Sequence, residues 1–535
     1  MQNSPNSPRP SHARQFGPTQ AAVQSPAVQN VVDQVVPALL ERHPVHTFDG
    51  TAPAPDSVVV IDPDKVQQEF EGWGTSLCWF ANIAGGYTDP LRTYLADLLF
   101  DVSKGLGMQI CRYNIGGAGW GTLDIPNFRY GANVESFWGP EGQWDFSRDA
   151  NQRWMLLAAR DRGACIFEAF SNSPPYWMTV SGRSSGNVFP WLDNLQPRYQ
   201  EQFVHYLAEV VRWFHDTHGL TFRTIAPFNE PNTIYWWAGN NQEGCHFDVS
   251  TQNTIITKLA SKLEITGLTK LGVGISASDE TSIDTAVLSF KGYSTEVKEA
   301  ISQYNTHSYL GSMRKELREL VRPTQRRLWM SEFGCGSFPI SSMETALELS
   351  SIILKDLNVL QANAWVYWQA IENSEGGTWW GLMQVPFHTG RYIILGKQFY
   401  CLMQYSRFIR CGSSILHSPQ PKSVLIAKAA PDAARPNQTR VVIVATNALS
   451  DYDVVNFDLS KCGSSSLGDS KGCEVDSKGS EMNMEGTAMI DIHRTSASEN
   501  CQKVASMQVP TPLRFGCALR PLSITTFVVT FEAAH

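Results

Sequence analysis

The chain has 535 residues, a length that suits two domains when one of them is a large barrel. Hydrophobic residues make up 42% and charged residues 18%, which provides for a sizeable core and excludes wholesale disorder. A net charge of −8 without any Lys/Arg cluster excludes a nucleic-acid binder, and no uncharged apolar run reaches the roughly 18 residues of a membrane span.

Residues 1–55 are rich in Pro, Ser and Gln, lack the apolar core of a signal peptide, and read as a disordered leader. The β-branched run Ser57–Asp62 opens the ordered part. Strand-like cores then follow at Glu71–Leu77, Met108–Asn114, Cys165–Ser171, Thr224–Asn229, Lys270–Ser276, Gln303–Ser308, Arg327–Glu332 and Ala364–Gln369. Helical periodicity fills the gaps at Asp149–Arg162, Gln200–His215, Thr251–Leu263, Thr285–Glu299 and Met343–Val359. Eight buried strands alternating with helices predict an α/β fold, a (β/α)8 TIM barrel spanning residues 56–395. From Gly396 short alternating runs replace the helical period, which predicts an appended all-β sandwich at 396–535, with residues 56–68 a candidate extra strand for it. The eleven cysteines show no metal-ligand spacing, and those at 462, 473, 501 and 517 lie among turn residues as candidates for pairing.

Catalytic groups of such barrels sit at the C-terminal ends of the strands. Two carboxylates, Glu230 and Glu332, end strands four and seven. Glycosidic cleavage needs such a pair, one acid to protonate the leaving oxygen and one carboxylate to attack or to activate water. Glu168 falls mid-strand and is expected to point inward or be paired; Asp279 and Glu280, placed after strand five, and Glu372 and Glu375 read as secondary polar contacts. The run Gly116–Gly121 fails the register of a phosphate loop and reads as backbone passing close to a sugar. Tryptophans at 120, 138, 144, 191, 236, 237, 379 and 380 fall in loops, where sugar faces are met. Asn437-Gln438-Thr439 is a glycosylation sequon.

The motifs Phe70-Glu71-Gly72-Trp73-Gly74, Arg112-Tyr113-Asn114-Ile115-Gly116-Gly117, Ser173-Pro174-Pro175-Tyr176-Trp177-Met178, Asn229-Glu230-Pro231-Asn232 and Ser331-Glu332-Phe333-Gly334 resemble glycoside hydrolase family 30, over about residues 57–535. Within that family the stretch Phe70–Tyr87 is most similar to the endo-β-1,6-galactanases. The resemblance implies a retaining, endo-acting hydrolase of β-1,6-galactan, with Glu230 as acid/base and Glu332 as nucleophile. It also implies that Asn229 binds the sugar 2-hydroxyl, that Arg112 holds Glu332 ionised, and that His307 and Tyr309 flank the nucleophile. Trp177 and Trp368 would wall the sugar subsite, and Asn172 joins the binding set. No cofactor or metal is expected; the partner is a glycan, the chain a monomer, and the location extracellular despite the leader. The same chemistry on β-1,6-glucan, xylan or glucosylceramide is the alternative, followed by a non-catalytic glycan-binding protein, which would gain nothing from two buried acids. A retaining pair should stand about 5 to 5.5 Å apart, an inverting pair about 6.5 Å or more.

Overall fold

The computed structural model describes residues 46–47, 58–121, 124–376, 380–435, 438–462, 487–510 and 513–532. The leader up to residue 45, Trp379, Asn437 of the sequon, and Cys473 fall outside these.

Eight parallel strands close into a barrel: β1 (Gly72–Ser76), β2 (Ile110–Asn114), β3 (Ile166–Phe170), β4 (Thr224–Ala226), β5 (Gly274–Ser282), β6 (Ile301–Leu310), β7 (Arg327–Phe333) and β8 (Ala364–Gln369). Strands buried on both faces need apolar residues outward and a packed interior, and β2 shows the division. Cys111 and Tyr113 join the core under the helices, whereas Ile110, Arg112 and Asn114 fall on the other face. Helix Gln200–His218 buries Phe203, Leu207, Val211 and Phe214 at intervals of four, four and three residues, and Gly219 ends it at a φ of 61°.

Three elements differ from the sequence reading. The expected helix Thr285–Glu299 is two helices, Ile283–Gly292 and Thr295–Ala300, because Ser294 restarts the chain as an N-cap accepting from the Val297 amide at 3.3 Å. A helix at Asp89–Phe100, with Pro at its start, was not anticipated. Strand five runs 274–282 rather than 270–276: residues Thr269–Leu271 form a 3-10 turn closed by Gly272 at a φ of 84°. Asp279 and Glu280 therefore belong to the strand. Its register slips between Ser278 and Glu280, and such a bulge lets consecutive residues take new directions.

A seven-stranded antiparallel sheet runs in the order 502–510, 487–495, 523–532, 438–447, 424–428, 413–416 and 66–70, and Val58–Val60 lies in a smaller sheet beside Asp453–Asp458 and Arg514–Leu519. Helix Lys397–Ser406 begins past the expected residue-395 boundary. It packs both on Met343–Lys355 of the barrel and on strands 487–495 and 523–532 of the sheet, so it joins the two bodies. Cys462, Cys501 and Cys517 are buried free thiols, not the paired cysteines their turn-rich surroundings suggested. Among the described residues no helix is long and apolar enough to cross a membrane.

Candidate active site

The register of the barrel decides who meets whom. Pairing of β6 with β7 sets His307 against Glu332, and pairing of β2 with β3 sets Arg112 against Glu168. A register shift between Met330 and Glu332 allows Ser331 and Glu332 both to reach polar partners in the barrel mouth, Ser331 through a 2.6 Å bond to Asp279. Just beyond β4, Glu230 takes a φ of 50° and is held by its amide donating to the Asp279 carbonyl at 2.8 Å; Asp279 itself has a φ of 62°. Left-handed backbone at two non-glycine residues is costly and concentrates where side-chain placement matters.

The two glutamates come together. One oxygen of Glu230, one of Glu332 and a ring nitrogen of His307 lie within 4.8 Å of one another. His307, fully buried, presents Nδ1 at 3.1 Å to Glu230 and 3.5 Å to Glu332, and Nε2 at 3.2 Å to Asp279, the last at an angle too poor for a hydrogen bond. Burial alone would depress this imidazole; the charges of Glu332 and Asp279 outweigh it and push its pKa up to about 10. His307 is thus a cation that donates to the glutamates, which suits it poorly as a metal ligand. A second convergence, Asp193 with His246 and Asp248, has its Asp193 oxygens taken by the Asp248 amide at 2.6 Å and by Thr251, and serves the start of helix Val249–Ile265.

Arg112 departs from the role expected of it. Its guanidinium is fully buried and meets three carboxylates: Nε donates to Glu168 at 2.8 Å, Nη2 to Asp279, and Nη1 reaches Glu332 only at 3.3 Å while shared with the Ser331 carbonyl. The strongest pull falls on Asp279, which despite burial is held well below the usual carboxylate range by Arg112 and His307. Glu332 goes the other way. Burial raises it, the His307 and Arg112 cations only partly offset this, and the neighbouring Glu230 adds repulsion, for a value pushed up to about 7. The expectation that Arg112 keeps Glu332 ionised well below neutrality is corrected accordingly: one cation divided among three acids cannot do it.

The cleft over this cluster, about 300 Å³ in volume, is lined by Arg129, Asn229, Glu230, Tyr235, Gln242, Thr281, Tyr309, Glu332, Trp368 and Trp380. Tyr309 donates to Glu332 Oε1 at 3.1 Å. Asn229 leaves its buried Oδ1 without a protein partner, ready for a hydroxyl donor. Trp368 stands edge-on to Trp79 at 5.9 Å, which fixes its ring at the cleft wall.

Two expected binding residues lie elsewhere. Trp177 donates its indole N–H to the Trp138 carbonyl at 3.0 Å and packs edge-on against Trp138 and Tyr199, inside an aromatic cluster rather than on the cleft wall. Asn172 is buried, donates to Asn114 Oδ1 at 3.1 Å and does not line the cleft. The first two glycines after β2 face protein backbone and not a sugar: a Cβ on Gly116 would lie 2.3 Å from the Val134 carbonyl oxygen and one on Gly117 2.6 Å from that of Pro174, and the Gly117 amide donates to buried Glu243 at 2.8 Å. Conversely, Tyr235, Arg129, Gln242 and Thr281 were missed. Tyr235 hydrogen-bonds Glu230 Oε2, and Arg129 pairs with Glu372 at 2.9 Å. Only the proximity of Tyr235 to Glu230 in sequence could have flagged it.

Paired carboxyls of unlike surroundings above a cleft of this size serve glycosidic cleavage, and the class that barrel and cleft define together is the glycoside hydrolases. The model of O-glycosyl hydrolase family 30 matches residues 56–321. An endo-beta-1,6-galactanase of Hypocrea rufa is 32% identical over 430 residues, covering 76% of this chain and 84% of that protein. An exo-beta-1,6-galactobiohydrolase of Bifidobacterium longum subsp. longum is 27% identical over 434 residues, which are 61% of this chain but 28% of that protein. Among solved structures, a conserved exported protein from Bacteroides fragilis superposes with a TM-score of 0.70 at 20% identity, covering 88% of this chain and 100% of that one. The catalytic domain of GH30 xylanase C from Talaromyces cellulolyticus gives 0.63 at 17% identity, covering 88% and 99%. The chain belongs to glycoside hydrolase family 30.

Proposed function

We propose that the chain is a retaining, endo-acting hydrolase of β-1,6-linked galactan, such as the side chains of arabinogalactan, with Glu332 as nucleophile and Glu230 as acid/base. The observation that carries the reading is the convergence of one oxygen each of Glu230 and Glu332 with a His307 nitrogen within 4.8 Å, a close approach that favours direct attack over a water-separated pair.

The roles follow from the contacts. Tyr309 donates to Glu332, and the His307 and Arg112 cations stand against it at 3.5 and 3.3 Å; burial keeps the carboxylate basic, which suits it to attack the anomeric carbon. The leaving oxygen takes its proton from Glu230. In the second step Glu230, now ionised, draws a proton from water, and that water releases the sugar from Glu332. Tyr235 donates to Glu230 Oε2 and orients the carboxyl for both proton transfers. Asn229, with a free Oδ1 beside Glu230, accepts from the sugar 2-hydroxyl.

The galactan substrate is supported by the likeness to the Hypocrea rufa endo-beta-1,6-galactanase. A polymeric substrate fits extracellular action, and the cleft is built from one chain, as a monomer requires. A reducing-sugar assay on β-1,6-galactan, β-1,6-glucan and xylan tests the reading: at least tenfold preference for the galactan is expected, and preference for another polymer overturns the substrate.

A further inference from the structure

We infer that Phe189, Trp191 and Trp237 form an aromatic platform beside the cleft, on which the leaving-group portion of a β-linked galactan chain stacks. The inference rests on the proposed function and extends it from the reacting bond to the polymer beyond.

Large apolar side chains are exposed in one part of the molecule out of proportion to their cost. Phe189 is 52%, Trp191 59% and Trp237 50% exposed, with Val188, Leu192 and Ile234 exposed beside them in sequence. Two loops bring them together. Asn187 pairs with Trp237, the Ala238 amide donates to the Asn187 carbonyl at 2.8 Å, and the Phe189 and Trp191 rings lie 5.6 Å apart. Exposed aromatics on two loops joined backbone to backbone mark a binding surface rather than an unburied core.

The Trp237 loop adjoins the cleft, and this names the occupant. The loop carrying Trp237 has both flanks in the cleft wall, at Tyr235 and Gln242. Its Trp237 amide donates to the Tyr235 carbonyl at 3.0 Å, and Tyr235 itself bonds the Glu230 carboxyl. Glu230 is the group that protonates the leaving oxygen, so chain emerging past Tyr235 is on the leaving side. Galactose suits the rings: its axial 4-hydroxyl leaves the C–H bonds at positions 3, 4 and 5 on one apolar face, which stacks on an indole. A 1,6-linkage adds a rotatable bond per residue, and a platform that holds several sugars offsets the entropy that such a chain loses.

The test compares β-1,6-galactan with an aryl β-galactoside of a single sugar, whose small leaving group does not reach the platform. For Trp191→Ala/Trp237→Ala, KM for the polymer should rise by about tenfold more than KM for the aryl substrate, and the paired Phe substitutions should restore most of the difference. Equal losses on both substrates, or none, overturn the platform. Galactan retardation in affinity gels, measured on the full chain carrying Glu332→Gln, should weaken with the double substitution; unaltered retardation overturns it independently of turnover. A concentration-dependent dimer that the double substitution dissociates would assign the surface to a second copy instead. If the parent chain binds and cuts another polymer in place of galactan, the substrate reading fails, and a platform effect on that polymer still separates the two claims.

Discussion

The two ends of the barrel hold charge in opposite ways. At the N-terminal end Glu71 meets Arg223 at 2.7 Å, Arg327 at 2.6 Å and the Trp329 indole at 2.6 Å, one acid between two partly exposed arginines. Deeper toward the other end, Arg112 and His307 face Glu168, Asp279, Glu230 and Glu332, two cations against four acids, all buried. An apolar layer of Ile110, Trp329, Ala364 and Val366 is packed in the barrel. A cluster with cations in excess and water nearby can be fully ionised at no functional consequence. A buried cluster short of cations cannot ionise every acid at neutral pH and keeps a proton among its carboxyls.

The largest effects should fall on the acid-rich end. Glu332→Gln should lower kcat by about 10⁴-fold or more, while Glu230→Ala retains turnover of activated aryl glycosides, whose leaving groups need no proton. Steady-state rates on an aryl galactoside and on galactan check this; equal losses for the two variants on the aryl substrate would exchange or remove the roles.

Arg112→Met leaves Glu168 and Asp279 buried without their cation and should cost about 3–5 kcal/mol of stability, together with activity. Glu71→Gln should cost about 1–2 kcal/mol and leave kcat unchanged, since its arginines keep access to solvent. Urea unfolding with activity measured alongside separates them. Similar losses for both would remove the contrast between the ends.

The pH dependence of stability has a definite sign. Burial pushes Glu280 up to about 7 and Glu243 up to about 8, and Glu332 also lies near 7, all above the ordinary glutamate value of 4.5. The folded chain then holds more protons than the unfolded one between those limits, so stability present near pH 4.5 is lost as the pH rises through 7 to 8. His307 acts in the same sense, its contribution complete below the ordinary histidine value of 6.5 and lost toward 10. Asp279, depressed below 3.8, contributes above that value and is lost only at the acid extreme. Tm should therefore be higher at pH 5 than at pH 8, and Glu280→Gln should flatten the decline. A Tm that rises over this interval contradicts the assignment.

A smaller effect is expected from Tyr235→Phe. Loss of the donor that orients the Glu230 carboxyl should lower kcat on galactan by about tenfold or less, with Tm little changed. An unaltered kcat would leave Tyr235 with packing alone.

Much of this was readable from residue order because the barrel strands are short apolar runs bounded by turns, and because Asn229-Glu230-Pro231 and Ser331-Glu332-Phe333 sit where strands end. Strand five was misplaced for a physical reason. Its interior positions carry Ser276, Ser278 and Asp279, polar groups paired inside the barrel, so hydrophobic periodicity cannot see it. Trp177 and Trp368 look alike in sequence; one is held by Trp138 and Tyr199 and the other faces the cleft. The division of Arg112 among three acids depends on side chains from β3, β5 and β7, which no local pattern relates.

The central claim is that Glu332 becomes covalently glycosylated. Its most direct test is incubation with a 2-deoxy-2-fluoro galactoside carrying an activated leaving group, followed by mass spectrometry of the digested chain. The account predicts one added sugar on the peptide containing Glu332. A label on the Glu230 peptide, or hydrolysis with no labelled peptide while the product is released as the α-anomer, would contradict it.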